Sequence, residues 1–205
     1  HVHSINPDVS GRYVFVCDFS ADAIKTYALD ADAKTLTQVG STPTAAGSGP
    51  RHLTCHPNGK WVYAIHELNG TITAMRFDAD APLLETVQTI STLPAGFTDD
   101  NTTAEIALSP DQRFLYGSNR GHDSIAYYSV DPATGLLSRI GIVSTEGQHP
   151  RNFTIDPTGR YMLVSNRDSD NVVLFELDTE TGKPTFTGQQ LHISRPMCIA
   201  MQHSP

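Results

Sequence analysis

GRYVFVCDF at residues 11–19, GKWVYAIHE at 59–67, QRFLYGSNR at 112–120 and GRYMLVSNR at 159–167 are one phrase written four times. Each copy opens on Gly or Gln, continues with Arg or Lys and an aromatic, and runs on through β-forming residues. Its aromatics, Tyr13, Trp61, Phe114 and Tyr161, lie 48, 53 and 47 residues apart. A period of that length in a strand-rich chain points to propeller blades rather than to a single sandwich.

Around each copy the chain offers four strand-like segments divided by turn residues. In the second unit these are RHLTCH from Arg51, WVYAIHE from Trp61, TITAMRFD from Thr71 and LLETVQTIS from Leu83, with Pro57-Asn58-Gly59 and Leu68-Asn69-Gly70 between them. Val, Ile, Tyr, Phe and Thr alternate with small or polar residues, and no stretch has helical periodicity. The expectation is an all-β propeller of four-stranded antiparallel blades. Its repeats run over about 1–48, 49–101, 102–148 and 149–193, with 194–201 an orphan first strand. Four blades and one strand do not close a ring, so the chain reads as the C-terminal portion of a larger one. The open blade edges this leaves invite self-association.

Composition narrows the function. The chain has 205 residues, 39% hydrophobic and 18% charged, an ordinary globular balance. A formal charge of −8 argues against nucleic acid as partner, and no apolar run reaches the roughly 18 residues of a membrane span. Cys17, Cys55 and Cys198 form no CxxC pair, and no leader-like segment opens the chain. A cytoplasmic location is therefore expected.

In a blade the first strand lines the central channel and the second runs antiparallel to it. The start of one and the end of the other therefore meet at the same mouth. The starts hold His3, Arg51, Ala104 followed by Glu105, and Arg151. The ends hold Phe19, Glu67, Arg120 and Arg167, next to Asp18, His66, Asn119 and Asn166. An Arg-rich mouth in an acidic protein suggests a small anionic ligand, because the guanidinium fork matches carboxylate or phosphate. Arg167 beside Asp168 reads as a structural ion pair. Glu67 stands out, since a carboxylate at one blade alone is not a repeat feature.

The segments HVHS at 1–4, GSGPRHLTCHPNGKWVYAIHEL at 47–68, TTAEIALSPDQRFLYGSNRGHDSI at 102–125 and the stretch 147–182 resemble the seven-bladed lactonase family. That family includes bacterial propeller-type 6-phosphogluconolactonase and fungal 3-carboxy-cis,cis-muconate lactonising enzyme. The resemblance implies catalytic residues His3, Arg51, Glu67 and Arg120, from HVHS, GPRHL, HEL and SNRGHDS respectively. His52, His122, Arg151 and Asn119 are expected to bind substrate, with no cofactor and no metal.

The reaction expected is hydrolysis of a small anionic sugar lactone, with Glu67 or His3 as base. Cycloisomerisation of a muconate carboxylate by the same four residues is the first alternative, and a non-catalytic interaction scaffold is another. A third is a calcium-dependent lactonase with Glu67, Asn119 and Asn166 as oxygen ligands.

Overall fold

The computed structural model describes residues 1–201 and contains sixteen strands in four four-stranded sheets. The first blade holds β1 (Val2–Pro7), β2 (Tyr13–Asp18), β3 (Ala23–Asp30) and β4 (Thr35–Pro43). The second holds β5 (Pro50–Cys55), β6 (Trp61–His66), β7 (Thr71–Phe77) and β8 (Leu84–Ser91). The third holds β9 (Thr102–Leu108), β10 (Phe114–Arg120), β11 (Ser124–Val130) and β12 (Leu137–Ser144). The fourth holds β13 (Pro150–Ile155), β14 (Tyr161–Asn166), β15 (Asn171–Leu177) and β16 (Pro184–His192). All pairings are antiparallel between consecutive strands, so each blade is a meander. Among the described residues no helix is long and apolar enough to cross a membrane.

The fourfold phrase now has a physical account at both of its fixed positions. Its opening residue, Gly11, Gly59, Gln112 or Gly159, has φ between 67° and 73°. The tight turn from first to second strand needs a left-handed residue there, which glycine adopts without penalty. Its aromatic is a grip on the next blade. Trp61 packs under Gly135 in the β11–β12 turn, and Phe114 packs under Gly182 in the β15–β16 turn. Two residues on, the Tyr63 hydroxyl donates to the Gly135 carbonyl at 3.1 Å and the Tyr116 hydroxyl to the Gly182 carbonyl at 2.9 Å.

There is consequently no single core. Buried side chains gather in three clusters, each shared by two adjacent blades: Phe15 and Ile24 with Met75 and Phe77, Tyr63 and Ile72 with Leu115 and Tyr128, and Tyr116 and Ile125 with Met162 and Phe175. Stability is built blade to blade, as in other repeat proteins. Gly182 tests this. A Cβ there would lie 2.4 Å from the Phe114 ring, on a backbone with φ of +70°. Gly182→Ala is expected to cost about 1–2 kcal/mol in left-handed strain and about 1–3 kcal/mol in overpacking. A urea midpoint equal to that of the parent would show that this contact does not carry the join.

The inner strands lie side by side, β1 next to β5, β5 next to β9 and β9 next to β13. Residues 194–201, expected as a further first strand, form no strand, because no second strand lies beside them to make a ladder. They nevertheless enter as the other inner strands do. The Arg195 amide donates to Asp170 at 2.7 Å, as the Gly49 amide does to Asp22 at 2.9 Å and the His149 amide to Asp123 at 2.8 Å. All three of these residues have positive φ and precede a proline.

Candidate active site

One irregularity aims the functional side chains. Each inner strand carries a β-bulge at the same level: His3, Arg51 and Arg151 are the extra residues, and in the third blade Ala104 and Glu105 together face Ser118. A bulge turns its residue out of the pleat. Four neighbouring blades thereby present His3, Arg51, Ala104 and Arg151 around one mouth.

Glu67 follows β6 and is held between two arginines. Arg51 Nε donates to Glu67 Oε2 at 2.9 Å, and Arg120 Nη2 lies 3.0 Å from Oε1. Both guanidiniums are buried, at 3% and 5% side-chain exposure, and Glu67 is at 20%. Arg51 Nη1 also donates to the Ala104 carbonyl at 2.7 Å, and Arg120 Nη2 donates to the Thr103 carbonyl. Ala104 has no side chain to obstruct this crossing of arginines. Burial first, then the neighbouring charge of Arg120, brings the Arg51 pKa down to about 10. Burial likewise lowers that of Arg120. Arg120 Nε is buried without a partner, and Arg151 has no ion-pair partner among the described residues.

His3 faces the same space. Its ring meets that of His52 edge to face at 5.0 Å, and its Nδ1 is buried without a hydrogen bond. Burial, reinforced by the Arg51 charge, lowers its pKa to about 4, so the ring is neutral at neutral pH. His52 Nδ1 lies 2.9 Å from Glu105 Oε1, and Glu105 Oε2 accepts from Asn152 Nδ2 at 2.5 Å. Arg51 Nη1 is 3.2 and 3.4 Å from the two His52 ring nitrogens, a spacing that sets it over the ring face. His52 and Glu105 also line a cavity of about 420 Å³ with Ser4, Ile5, Asn6 and Leu53.

The structure thus brings His3, Arg51, Glu67, Arg120, His52 and Arg151 to one mouth, and two other expected residues elsewhere. Asn119, expected to bind substrate, is fully buried. Its Nδ2 donates to the Thr92 carbonyl and Ser124 Oγ, and its Oδ1 accepts from Thr92 Oγ1 and Asn101 Nδ2. It joins blades and has nothing left for a ligand. His122, also expected to bind substrate, sits on the β10–β11 turn with Nδ1 2.7 Å from Ser124 Oγ and its ring against Phe97. No hydrogen bond links it to the arginine pair. The calcium set fails on two of its three oxygens: Asn119 Oδ1 is spent on Thr92 and Asn101, and both Glu67 oxygens face arginine, which leaves only the unpartnered Oδ1 of Asn166. Asp168 neutralises Arg167 at 2.6 Å, the structural pair anticipated, and lies 3.4 Å from His149. Asn152 was missed, because its role is visible only once the bulge sets it opposite Glu105.

The seven-bladed β-propeller lactonase family matches residues 1–201. The chain belongs to that family. Among lactonase relatives, the 6-phosphogluconolactonase of Bacillus subtilis is 37% identical over 203 residues, covering 99% of this chain and 58% of its own length. The 6-phosphogluconolactonase of Formosa agariphila is 37% identical over 168 residues, covering 76% of this chain and 45% of its own. The solved structure of the Pseudomonas aeruginosa periplasmic gluconolactonase superposes with a TM-score of 0.90 at 35% identity, covering 96% of this chain and 55% of that one. The chain therefore spans about half the length of the lactonases it matches.

Proposed function

We propose that this chain is about four blades of a seven-bladed ring, and that the ring hydrolyses a small anionic sugar lactone of the 6-phosphogluconolactone type. One observation carries the reading: two buried guanidiniums, fixed by one carboxylate, keep a donor without an acceptor beside the uncompensated Arg151. A buried donor without a partner calls for an explanation, and at a mouth lined by arginines an incoming anion supplies the acceptor. The relatives named 6-phosphogluconolactonase and gluconolactonase supply the substrate class.

In this reading Glu67 does not touch substrate. It holds Arg51 and Arg120 rigid, so that their remaining N–H groups meet the oxygen on which negative charge develops when water attacks the lactone carbonyl. Donors set in advance and shielded from solvent stabilise such charge more than water does. Arg151, one blade further on, takes the substrate's permanent anion. No cofactor is needed for either task. The location is cytoplasmic in this reading, in keeping with three free cysteines.

The assay is direct. The intact protein is expected to open 6-phosphogluconolactone, and Arg51→Ala to lower kcat/KM by about 10²–10³-fold, the usual consequence of losing one oxyanion donor. A parent that leaves this lactone intact but cyclises a carboxymuconate would transfer the site to the isomerase reading. A parent inert on both would sink the proposal.

A further inference from the structure

With both oxygens of Glu67 turned to arginine, the base that takes the proton from water must be sought elsewhere in the mouth. His3 lacks an orienting partner, since its Nδ1 makes no hydrogen bond. His52 has one. We propose that His52 is the catalytic base of this site, and that Glu105 and Asn152 are its positioning residues.

Glu105 is gripped from three directions. Its Oε1 faces His52 Nδ1 at 2.9 Å and accepts from the Ile106 amide at 3.1 Å, while its Oε2 accepts from Asn152 Nδ2. A carboxylate so held only accepts, so the proton of the neutral imidazole sits on Nδ1 and the lone pair on Nε2. This is the base-and-orienter arrangement of nucleophilic and hydrolytic sites, assembled here from β5, β9 and β13. The charged and titratable groups around His52 are Arg51 on its own strand, His3 on β1 and Glu105 on β9, with Arg151 on β13. His3 is neutral at neutral pH.

The inference rests on the lactone-hydrolysis reading, and its proton balance is closed. Water oxygen bonds to the lactone carbonyl carbon as His52 Nε2 takes one water proton. The carbonyl oxygen bears the charge, facing Arg51 and Arg120. As the carbonyl re-forms, the ring C–O bond breaks, and the proton on Nε2 passes to the departing alkoxide. One water is consumed, one hydroxy acid is released, and His52 is neutral again.

Three variants of the intact protein test it: His52→Gln, Glu105→Gln and His3→Gln. His52→Gln is expected to lower kcat about 10²–10⁴-fold with little change in KM, and to erase the acid limb of the pH–rate profile. Glu105→Gln keeps an acceptor opposite Nδ1 but removes the charge. It is expected to lower kcat about 10–100-fold, as losing an orienting partner does, and to move that limb to lower pH. His3→Gln is expected to leave the limb in place. Nitrogen-15 NMR of the parent supplies a readout independent of turnover, with the His52 proton on Nδ1. An acid limb that survives His52→Gln, or vanishes with His3→Gln instead, overturns the assignment. So does an Nε2–H tautomer at His52. A parent with no lactonase activity but an Nδ1–H His52 sinks the hydrolysis reading, and with it the catalytic role, while leaving the Glu105 contact standing.

Discussion

Glu67→Ala is expected to cost the fold about 3–5 kcal/mol, the usual effect of stripping one partner from a buried ion cluster. The carboxylate is the one anion between Arg51 and Arg120, whose side chains are 3% and 5% exposed. Without it, two guanidiniums face each other across the mouth with only the Thr103 and Ala104 carbonyls to answer them. Each already has a pKa lowered by burial. Repulsion would drive the arginines apart and undo the bulge geometry, so activity should fall with stability. Glu67→Gln, which keeps one oxygen to accept from an arginine but loses the second acceptor and the charge, should be intermediate. Urea midpoints measured at low and high salt decide the matter. Equal midpoints for parent and Glu67→Ala would mean that solvent already screens the arginines, and the dry, preorganised mouth would have to be abandoned.

Acid should begin to weaken the fold before its carboxylates are titrated. His66 is 1% exposed, and burial lowers its pKa from 6.5 to about 4, with Asp22 opposing the shift. His3, half-buried, is lowered to about 4 as well, by burial and then by Arg51. Both rings are neutral in the folded protein and bind protons near pH 6.5 once unfolded. Between those values the unfolded chain holds more protons, so stability is complete above about pH 6.5 and drains away as pH falls towards 4. His66 alone should remove about 3 kcal/mol over that interval, with a smaller loss from His3. The other blades suggest the control. At the position of His66 the third and fourth blades place Asn119 and Asn166, whose amides bond the Thr92 and Thr145 carbonyls. His66→Asn should therefore fold and flatten the acid slope. An unchanged slope would assign the acid sensitivity to other groups.

The architecture was legible because it is written four times. Turn residue, aromatic and strand run repeat at blade spacing, and each has a local steric or packing cause. The arginine cluster was legible for the opposite reason: Glu67 breaks a repeat that elsewhere reads Phe19, Arg120 and Arg167. What stayed hidden depends on one-residue offsets. Asn119 adjoins Arg120 in sequence, yet successive strand residues face opposite ways, and it points into the join between blades. The bulge shifts Glu105 and Asn152 into the channel without any mark in the residue pattern. Tail residues 194–201 carry a first-strand sequence, but a strand exists only where another backbone accepts its hydrogen bonds.

The aromatic grip gives the array a polarity. Within the array each aromatic reaches forward to the turn of the following blade: Trp61 and Phe114 enter the Asp-x-x-x-Gly turns Asp131 to Gly135 and Asp178 to Gly182, and Tyr13 meets the Ala79 carbonyl. The two ends of such an array are a plug and a socket, and Tyr161 at 38% exposure is the plug left showing. A twofold pair of chains would set like end against like end, so copies that associate by this device must line up head to tail. The first blade's turn begins at Asp30 and places Lys34, at φ 55°, where the third and fourth blades have a glycine. The second blade has Pro82 at that position and receives Tyr13 at the Ala79 carbonyl instead. The joins are therefore not interchangeable: each is written jointly by the aromatic of one blade and the turn of the next.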